Sequence, residues 1–205
     1  MKNDVDSKAS SELLEAIHFF NQKGWSPATS TNYSVRAVNE SEIIISRSGV
    51  DKSKFVLEDL ITIDRKGLVL NPPGVKSSAE TEIHTFLYDR FPTARCVLHT
   101  HSVLGTSLSM IHADAGEIRF AGYEILKGLE GNTTHDLEES LPIVPNSQHM
   151  PDILEHMRSH FDKNIHGFLI QGHGLYTWGT SVAVAKRHIE TYEFLFECLD
   201  KTRKY

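Results

Sequence analysis

The sequence predicts an α/β fold of the α+β type, in which helices are layered on an antiparallel or mixed sheet. Helical periodicity stands near both ends of the chain, and the β-branched runs between are mostly joined by short turns rather than by crossover helices. No internal repeat, low-complexity tract or linker interrupts the 205 residues. A single domain over residues 1–205 is therefore expected, with residues 1–8 as a flexible tail.

The first part of the chain predicts one helix followed by short strands. Apolar residues recur at helical spacing over 11–23, and Gly24 can close that helix. The β-branched run 42–46 predicts a strand. Residues 60–64 and 68–70 flank a glycine-containing turn, which is typical of a hairpin.

A second helix is predicted from Ser77 to about Arg90. Its start has the spacing of a capping box, with Ser77 at the N-cap and Glu80 at N3. Further along the chain, two apolar segments predict buried strands and one periodic segment predicts a final helix. These segments are 95–100, 167–171 and 181–200.

The composition excludes several kinds of partner. A net charge of −6 without a run of Lys or Arg gives no electrostatic footprint for nucleic acid. No stretch approaches the roughly 18 consecutive apolar residues of a membrane span, so no membrane partner is expected. The polar start lacks the apolar region of a secretory signal. Cys96 and Cys198 lie far apart, which favours the reducing cytoplasm.

The twelve histidines include a group that suits a metal ion. His99 and His101 stand at the end of a predicted strand, where residues i and i+2 point to the same face. Two imidazoles placed about 7 Å apart at Cα can converge on one ion. A catalytic zinc commonly takes three protein ligands. His173 is the best third ligand, because it follows another predicted strand and its flanking glycines allow a close approach of the backbone.

Zinc fits three neutral imidazoles best, although manganese, iron or cobalt could occupy the same ligands. A lone HxH pair is more often without metal, and only the combination of two strand exits favours a metal site. The remaining histidines are expected to be ordinary surface or hydrogen-bonded core residues. They are His18, His84, His112, His135, His149, His156, His160, His166 and His188.

Five segments in order along the chain resemble the class II aldolase and adducin-like family. They are 31–36, 46–52, 76–81, His99–His101 and 172–174. Two further segments, 122–129 and 173–179, are similar to one branch of that family, the methylthioribulose-1-phosphate dehydratases. The resemblance implies a mainly antiparallel central sheet flanked by helices, and a homo-oligomer, commonly a tetramer.

The resemblance also implies a lyase with one Zn²⁺ per subunit. Its reaction would dehydrate 5-methylthioribulose 1-phosphate to 5-methylthio-2,3-dioxopentyl phosphate in methionine salvage. Glu124 matches the residue that shuttles the protons in that branch, although on its own it would be taken for a solvated glutamate beside Lys127. Glu80 is the second candidate, because it stands where sugar-phosphate aldolases carry their acid/base group.

Turn hydroxyls and backbone N–H groups are expected to hold the phosphate. The residues that match the family's phosphate site are Asn32, Ser48, Gly49, Ser77 and Ser78, with Lys52 adding charge. This chain has Thr31 where many of the aldolases have glycine, and Ala79 where they have a second serine. The candidates for the methylthio pocket are Leu104, Phe120 and Tyr123.

Two other functions stay open. An aldolase or epimerase acting on another sugar phosphate, such as fuculose or ribulose phosphate, would share the metal and depend on Glu80 rather than on Glu124. A metal-lacking interaction module, as in the adducin head, would need none of the three histidines. Their presence favours an enzyme, and a metal assay on the purified protein separates the two classes.

Overall fold

The computed structural model describes residues 2–161 and 164–202, with side chains from residue 6 onward. Nine strands of this part of the chain form one sheet in the order β4-β3-β2-β1-β5-β9-β8-β7-β6. Neighbouring strands are antiparallel except for the parallel pair β7 and β8, so the predicted mainly antiparallel sheet is confirmed. The strands are β1 Tyr33–Arg36, β2 Glu42–Ser46, β3 Leu60–Asp64, β4 Val69–Asn71, β5 Cys96–Thr100, β6 Glu117–Ala121, β7 Glu138–Val144, β8 Gly167–Ile170 and β9 Gly174–Gly179.

Within residues 2–161 and 164–202, five α-helices cover the two faces of the sheet. They are α1 Lys2–Gln22, α2 Thr81–Arg90, α3 Val103–Ile111, α4 Met150–His160 and α5 Val182–Thr202. One core cluster joins the sheet to α1, α3 and α5 through side chains such as Phe20 and Phe196. A second cluster joins the other face to α2 and α4 through Leu87 and Met157. No helix in the described ranges is long and apolar enough to cross a membrane.

Most sequence-predicted elements lie where they were expected. The strands at 42–46 and 60–64 match in full, and the segments 95–100 and 167–171 contain β5 and β8. The helix expected over 181–200 is α5. The helices and strands for which no bounds were predicted are β1, α3, β6, β7, α4 and β9, which lie between the recognisable motifs or beside them.

The first helix begins earlier than predicted. Residues 2–8, expected to form a tail, are the first turns of α1, and Met1 lies outside the described residues. One contact ties this part of the helix to the sheet, because Asp6 Oδ1 accepts a hydrogen bond of 2.9 Å from the Val38 backbone N–H. A run without Pro or Gly can extend a helix wherever such a tertiary contact holds it.

The predicted capping box at the start of α2 is wrong. The helix begins at Thr81, so Glu80 is the residue before it rather than its N3 residue, and its side chain makes no cap hydrogen bond. Ser78 Oγ instead accepts a hydrogen bond of 3.2 Å from the Glu80 N–H. The Glu80 carboxylate is thereby free to turn toward the middle of the sheet.

Candidate metal centre

Two neighbouring strands bring the three histidines together. His99 lies on β5 opposite Tyr176 of β9, and His101 follows the end of β5. His173 lies in the turn between β8 and β9. The Nε2 atom of His99 is 2.7 Å from that of His101 and 3.4 Å from that of His173. These three ligand atoms all lie within 4.8 Å of one another, as the strand spacing predicted.

Helix α3 holds the turn that carries His173. Gly172 adopts a left-handed φ of 64°, which glycine tolerates without strain. Its N–H donates a hydrogen bond of 2.8 Å to Ser109 Oγ. Thr106 Oγ1 donates one of 2.9 Å to the His173 carbonyl. Because Thr106 and Ser109 are three residues apart, one face of α3 fixes the backbone on both sides of the His173 N–H.

The tautomer of His99 suits a metal ligand. Its Nδ1–H donates to the Leu175 carbonyl at 3.0 Å, which leaves the Nε2 lone pair facing the other two rings. Burial lowers the pKa of His99 well below its ordinary value and that of His101 to about 4. Neutral imidazoles whose ring nitrogens converge on one point fit a divalent cation. Two nitrogen ligands of a tetrahedral zinc lie about 3.3 Å apart, close to the His99–His173 separation.

Glu80 stands against the same three rings. Its Oε1 lies 3.0 Å from His173 Nε2 and its Oε2 lies 3.7 Å from His99 Nε2. Oε2 also accepts hydrogen bonds from Tyr176 and Asn32. Burial opposes ionisation, but the His173 hydrogen bond, the neighbouring imidazoles and Asn32 together hold the pKa of Glu80 below its ordinary value. The carboxylate is therefore ionised and fixed beside the metal position.

The family of this protein is shown by a sequence match over most of the chain. The family model of the class II aldolase and adducin N-terminal domain matches residues 11–199. The chain belongs to this family. The class II aldolase assignment accounts for the three histidines, since a divalent metal is typical of the family and the chain carries a ligand set for one.

Sequence relatives at high identity share one name. The chain is 49% identical over 189 residues to a methylthioribulose-1-phosphate dehydratase of Picosynechococcus. This match covers 91% of this chain and 88% of the relative. It is 45% identical over 187 residues to a protein of the same name from Xanthomonas campestris, covering 91% of this chain and 85% of the relative.

Solved structures of class II aldolase relatives share the fold. YgbL of Escherichia coli matches with a TM-score of 0.80 at 22% identity, over 95% of this chain and 89% of that chain. The L-fuculose-1-phosphate aldolase of Thermus thermophilus matches with a TM-score of 0.75 at 20% identity, over 96% of this chain and 95% of that chain. The expected architecture, a mainly antiparallel sheet flanked by helices, is thus confirmed.

A small cavity opens beside His101 where the class II aldolase resemblance places the phosphate. It has a volume of about 200 Å³, and its wall includes Asn32, Ser48, Gly49 and Ser78. Arg47, which sequence reasoning missed, also lines it and is paired with Asp59 at 2.6 Å. The sequence signal that could have identified Arg47 is its position one residue before Ser48, a predicted phosphate ligand.

Ser77 and Lys52 do not line this cavity. Lys52 is 1% exposed, and its ammonium donates a hydrogen bond of 3.0 Å to the Val50 carbonyl beneath the Ser48–Gly49 turn. Burial lowers the pKa of Lys52 to about 8. The structure therefore makes Lys52 a buried charge under the turn.

His84, taken from the sequence as an ordinary histidine, orients the amide of Asn32. One ring nitrogen bonds Asn32 Oδ1, and the other lies 2.7 Å from Ser34 Oγ. This contact turns the Asn32 Nδ2 group toward Glu80 and Ser78. No local sequence pattern predicts the contact between His84 and Asn32, because the two residues lie 52 positions apart.

The structure does not bring Glu124 to the histidines within one chain. Glu124 begins the 3₁₀ turn Glu124–Gly128 after β6, the edge strand four places from β5. Its side chain is 71% exposed and pairs with Lys127 and His135. The hydrogen bond from Lys127 lowers the pKa of Glu124, so the carboxylate is ionised.

One expected member of the methylthio pocket is wrong. Phe120 is 2% exposed and packs with Tyr192 and Phe196 in the core beneath α5, so it offers no surface to a substrate. Leu104 and Tyr123 are half-buried against the same core cluster. Alternate residues of β6 are buried, and Phe120 is one of them. The alternation of side chains along a strand would have indicated this from the sequence.

Proposed function

We propose that this chain is a zinc-dependent hydro-lyase that removes water from 5-methylthioribulose 1-phosphate and yields 5-methylthio-2,3-dioxopentyl phosphate. The observation that carries the proposal is the three-histidine cluster in a chain 49% identical to a protein named methylthioribulose-1-phosphate dehydratase. His99, His101 and His173 would hold one Zn²⁺ per chain.

The reaction needs a base and an acid at adjacent carbons. A carboxylate takes the proton from C3, the electrons pass into an enediolate, and the C4 hydroxyl leaves as water after receiving a proton. The resulting enol becomes the diketone by taking a proton at C4 and losing the proton of its C3 hydroxyl. The bound metal supplies electrostatic stabilisation of the charge that develops on the substrate oxygens. We assign the proton transfer to Glu124, which is ionised and exposed.

Glu124 would act on the metal centre of a neighbouring subunit. Within the chain its partners are Lys127 and His135, both also at the surface, so its carboxylate is accessible to a second copy. We propose a homotetramer in which each site takes histidines from one chain and Glu124 from the next. Light scattering should then give a mass well above the 23.1 kDa of one chain.

The phosphate would occupy the cavity beside His101. Ser48 and Ser78 offer hydroxyl donors there, Asn32 forms part of the wall, and the Gly49 N–H adds a backbone donor. Arg47 and the buried Lys52 supply positive charge on the same side. A phosphate held at this end would leave the ketose oxygens near the three histidines, because His101 is part of the cavity wall.

A substrate comparison tests the proposed reaction. The purified metal-loaded protein is assayed with methylthioribulose 1-phosphate, fuculose 1-phosphate and ribulose 5-phosphate, and metal is measured in the same samples. Turnover of the first substrate with release of water and about one zinc per chain supports the proposal. Cleavage or epimerisation of the others as the main activity overturns it.

A mixing experiment tests the shared site. Glu124→Gln chains keep the histidines, and His173→Ala chains keep Glu124. If each site combines two chains, co-refolded mixtures of these two inactive proteins regain up to about a quarter of wild-type activity. Mixtures that stay as inactive as their parents show that Glu124 does not act across a subunit border.

An aldolase or epimerase is the second candidate. Glu80 favours it, because its carboxylate lies 3.0 Å from His173 Nε2 whereas Glu124 is distant in the single chain. In that case Glu80 would carry the proton, and the substrate comparison would show activity with fuculose or ribulose phosphate.

A further inference from the structure

Two histidines, buried His188 and half-buried His166, bond the backbone of Glu130, one at its N–H and the other at its carbonyl. His188 of α5 accepts a hydrogen bond of 2.9 Å from the Glu130 N–H at its Nε2. His166, just before β8, bonds the Glu130 carbonyl oxygen at 2.8 Å through its own Nε2. The two rings meet edge to face, with centroids 5.3 Å apart. We call this arrangement the Glu130 clamp.

The hydrogen bonds require different protonation states for the two rings. His166 Nδ1 lies 2.9 Å from Glu139 Oε1, so both its nitrogens face acceptors and both must carry hydrogen. His188 donates from Nδ1 to the Trp178 carbonyl at 2.8 Å and accepts at Nε2, so it is neutral. The clamp therefore joins an imidazolium to a neutral imidazole.

The surrounding groups support this assignment. Burial opposes the charge on His166, but Glu139 and the Glu130 carbonyl outweigh it and raise its pKa. Burial lowers the pKa of His188 to about 3, and the nearby His166 charge adds to that effect. The groups that face the pair are Glu139 of β7, Tyr192 and Arg187 of α5 and the Glu130 side chain, whose Oε1 accepts from Thr180.

The clamp connects two segments of one chain, the Glu124 turn and the strand that follows His173, which in the proposed oligomer serve two neighbouring active sites. Glu130 lies six residues after Glu124, and the turn between them is seated on α5, where Arg187 Nε donates to the Gly128 carbonyl at 2.7 Å. At its other end, His188 is bonded to Trp178 of β9, the strand that follows His173. Displacement of residues 128–130 relative to β9 would stretch these bonds, which anchor the end of the Glu124 turn.

We propose that His166 and His188 are positioning residues that fix the Glu124 turn by holding the Glu130 backbone at both its N–H and its carbonyl. The proposal rests on the assignment of proton transfer to Glu124. Since the His166 pKa is raised above its ordinary value, the full clamp is present at low pH and weakens as pH rises through the folded-state pKa of His166. Turnover should lose its best geometry over the same range.

Variants of the two histidines test the positioning role. We expect His188→Leu and His166→Leu to lower kcat by roughly 10- to 100-fold, the effect of a small misplacement of a reacting group, with metal content and KM near wild type. His188→Gln, which keeps one donor and one acceptor, should restore most of the activity. His166→Gln should flatten the alkaline decline of kcat. His149→Gln, an exposed histidine paired with Asp152, is the matched control.

Two further measurements test the clamp even if one of the variants folds poorly. Nitrogen NMR of the wild-type protein at pH 6, below the ordinary pKa of histidine, should show His166 protonated on both nitrogens and His188 on Nδ1 alone. Hydrogen exchange in residues 124–132 should quicken in the folded variants and remain unchanged in the control. A neutral His166, or a folded His188→Leu protein with wild-type kcat, overturns the clamp.

The same series separates this proposal from the proposed reaction. In a Glu124→Gln background the clamp variants should cause no further loss of kcat, because the positioned group is already absent. If Glu124→Gln alone leaves kcat at the wild-type value, the assignment of Glu124 fails, and the NMR and exchange results still decide whether the clamp exists.

Discussion

Tyr176 donates its hydroxyl hydrogen to Glu80 Oε2 at 2.9 Å across 96 residues of sequence. The same ring stacks on His99, with centroids 3.9 Å apart and planes inclined by 12°. Tyr176 therefore fixes a metal-ligand candidate and the adjacent carboxylate at once. The contact makes Glu80 a rigid neighbour of the metal position, and its role has to be tested against that of Glu124.

The two carboxylates should respond differently to removal of charge. Glu124→Gln keeps the shape of the side chain and loses the ionisable group, so kcat should fall by roughly 10²–10⁴. KM should change much less, because the loss falls on the transition state. Glu80→Gln should produce the milder kinetic defect together with weaker metal retention, since it alters a group next to His173. Steady-state kinetics and metal analysis measure both.

Glu155→Gln is the matched control for this pair, because Glu155 is exposed on α4 and pairs only with Arg158 among its charged neighbours in the described chain. It should leave kcat, KM and metal content unchanged. An inactive Glu80→Gln protein beside a nearly normal Glu124→Gln protein would refute the dehydratase assignment and favour aldolase chemistry.

Gly174→Ala should abolish metal binding. A β-carbon there would stand 2.2 Å from the Thr100 carbonyl oxygen and 2.8 Å from the His101 ring, so β9 would have to move away from β5. The expected result is loss of metal by elemental analysis and of activity. Gly116→Ala is the control, because a β-carbon there meets nothing within 4 Å and its left-handed φ gives only a strain cost of about 1–2 kcal/mol. Full metal content in Gly174→Ala would contradict the geometry.

Lys52→Met should stabilise the protein while weakening phosphate binding. Burial lowers the pKa of Lys52 from 10.5 to about 8, which corresponds to a cost of up to about 3 kcal/mol for the charged form. The wild-type free energy of unfolding should rise between pH 8 and 10.5, where the folded state has lost a proton that the unfolded state keeps. Denaturant unfolding of the Met variant should lack that rise, and its KM should increase at pH 7.

Glu193→Gln should remove a pH-dependent loss of stability. Glu193 is 3% exposed on α5, and its Oε1 has no hydrogen-bond partner among the described residues. Burial raises its pKa to about 8, so the folded state keeps a proton that the unfolded state releases above pH 4.5. Wild-type stability should fall as pH rises from 4.5 to 8, by up to about 5 kcal/mol. In the variant, the free energy of unfolding, measured by denaturant titration at each pH, should depend less on pH. Identical pH dependence in the wild type and the variant would exclude this role.

The metal ligands could be predicted from sequence because their geometry is local. The spacing of His99 and His101 matches the two-residue period of a strand, and His173 follows a clearly apolar strand. The capping role of Glu80 was predicted wrongly for the opposite reason, although the family resemblance had already placed this residue near the metal site. Its spacing from Ser77 fits a local cap, whereas its real partners are distant in the chain and depend on the packing of β1 and β9 against α2.

The middle of the chain escaped prediction because its elements carry weak local signals. Helix α3 contains Gly105 and three hydroxyl residues, and its exposed face is apolar at Val103, Met110 and Ile111. Strands β6 and β7 are separated by a long turn-rich segment. Their positions are set by contacts with α5 and β8, which no short window of sequence contains.

The shared centre of His99 and His173 also has a mechanical consequence. These residues lie 74 positions apart, on either side of α3, β6, β7, α4 and β8. An ion held by both would act as a removable crosslink that closes this long loop. Since it binds the folded chain in preference to the unfolded one, its removal by a chelator should speed unfolding and lower the melting temperature. The metal centre would thus stabilise the folded position of the middle of the chain, which contains Glu124, although that part contributes no ligand.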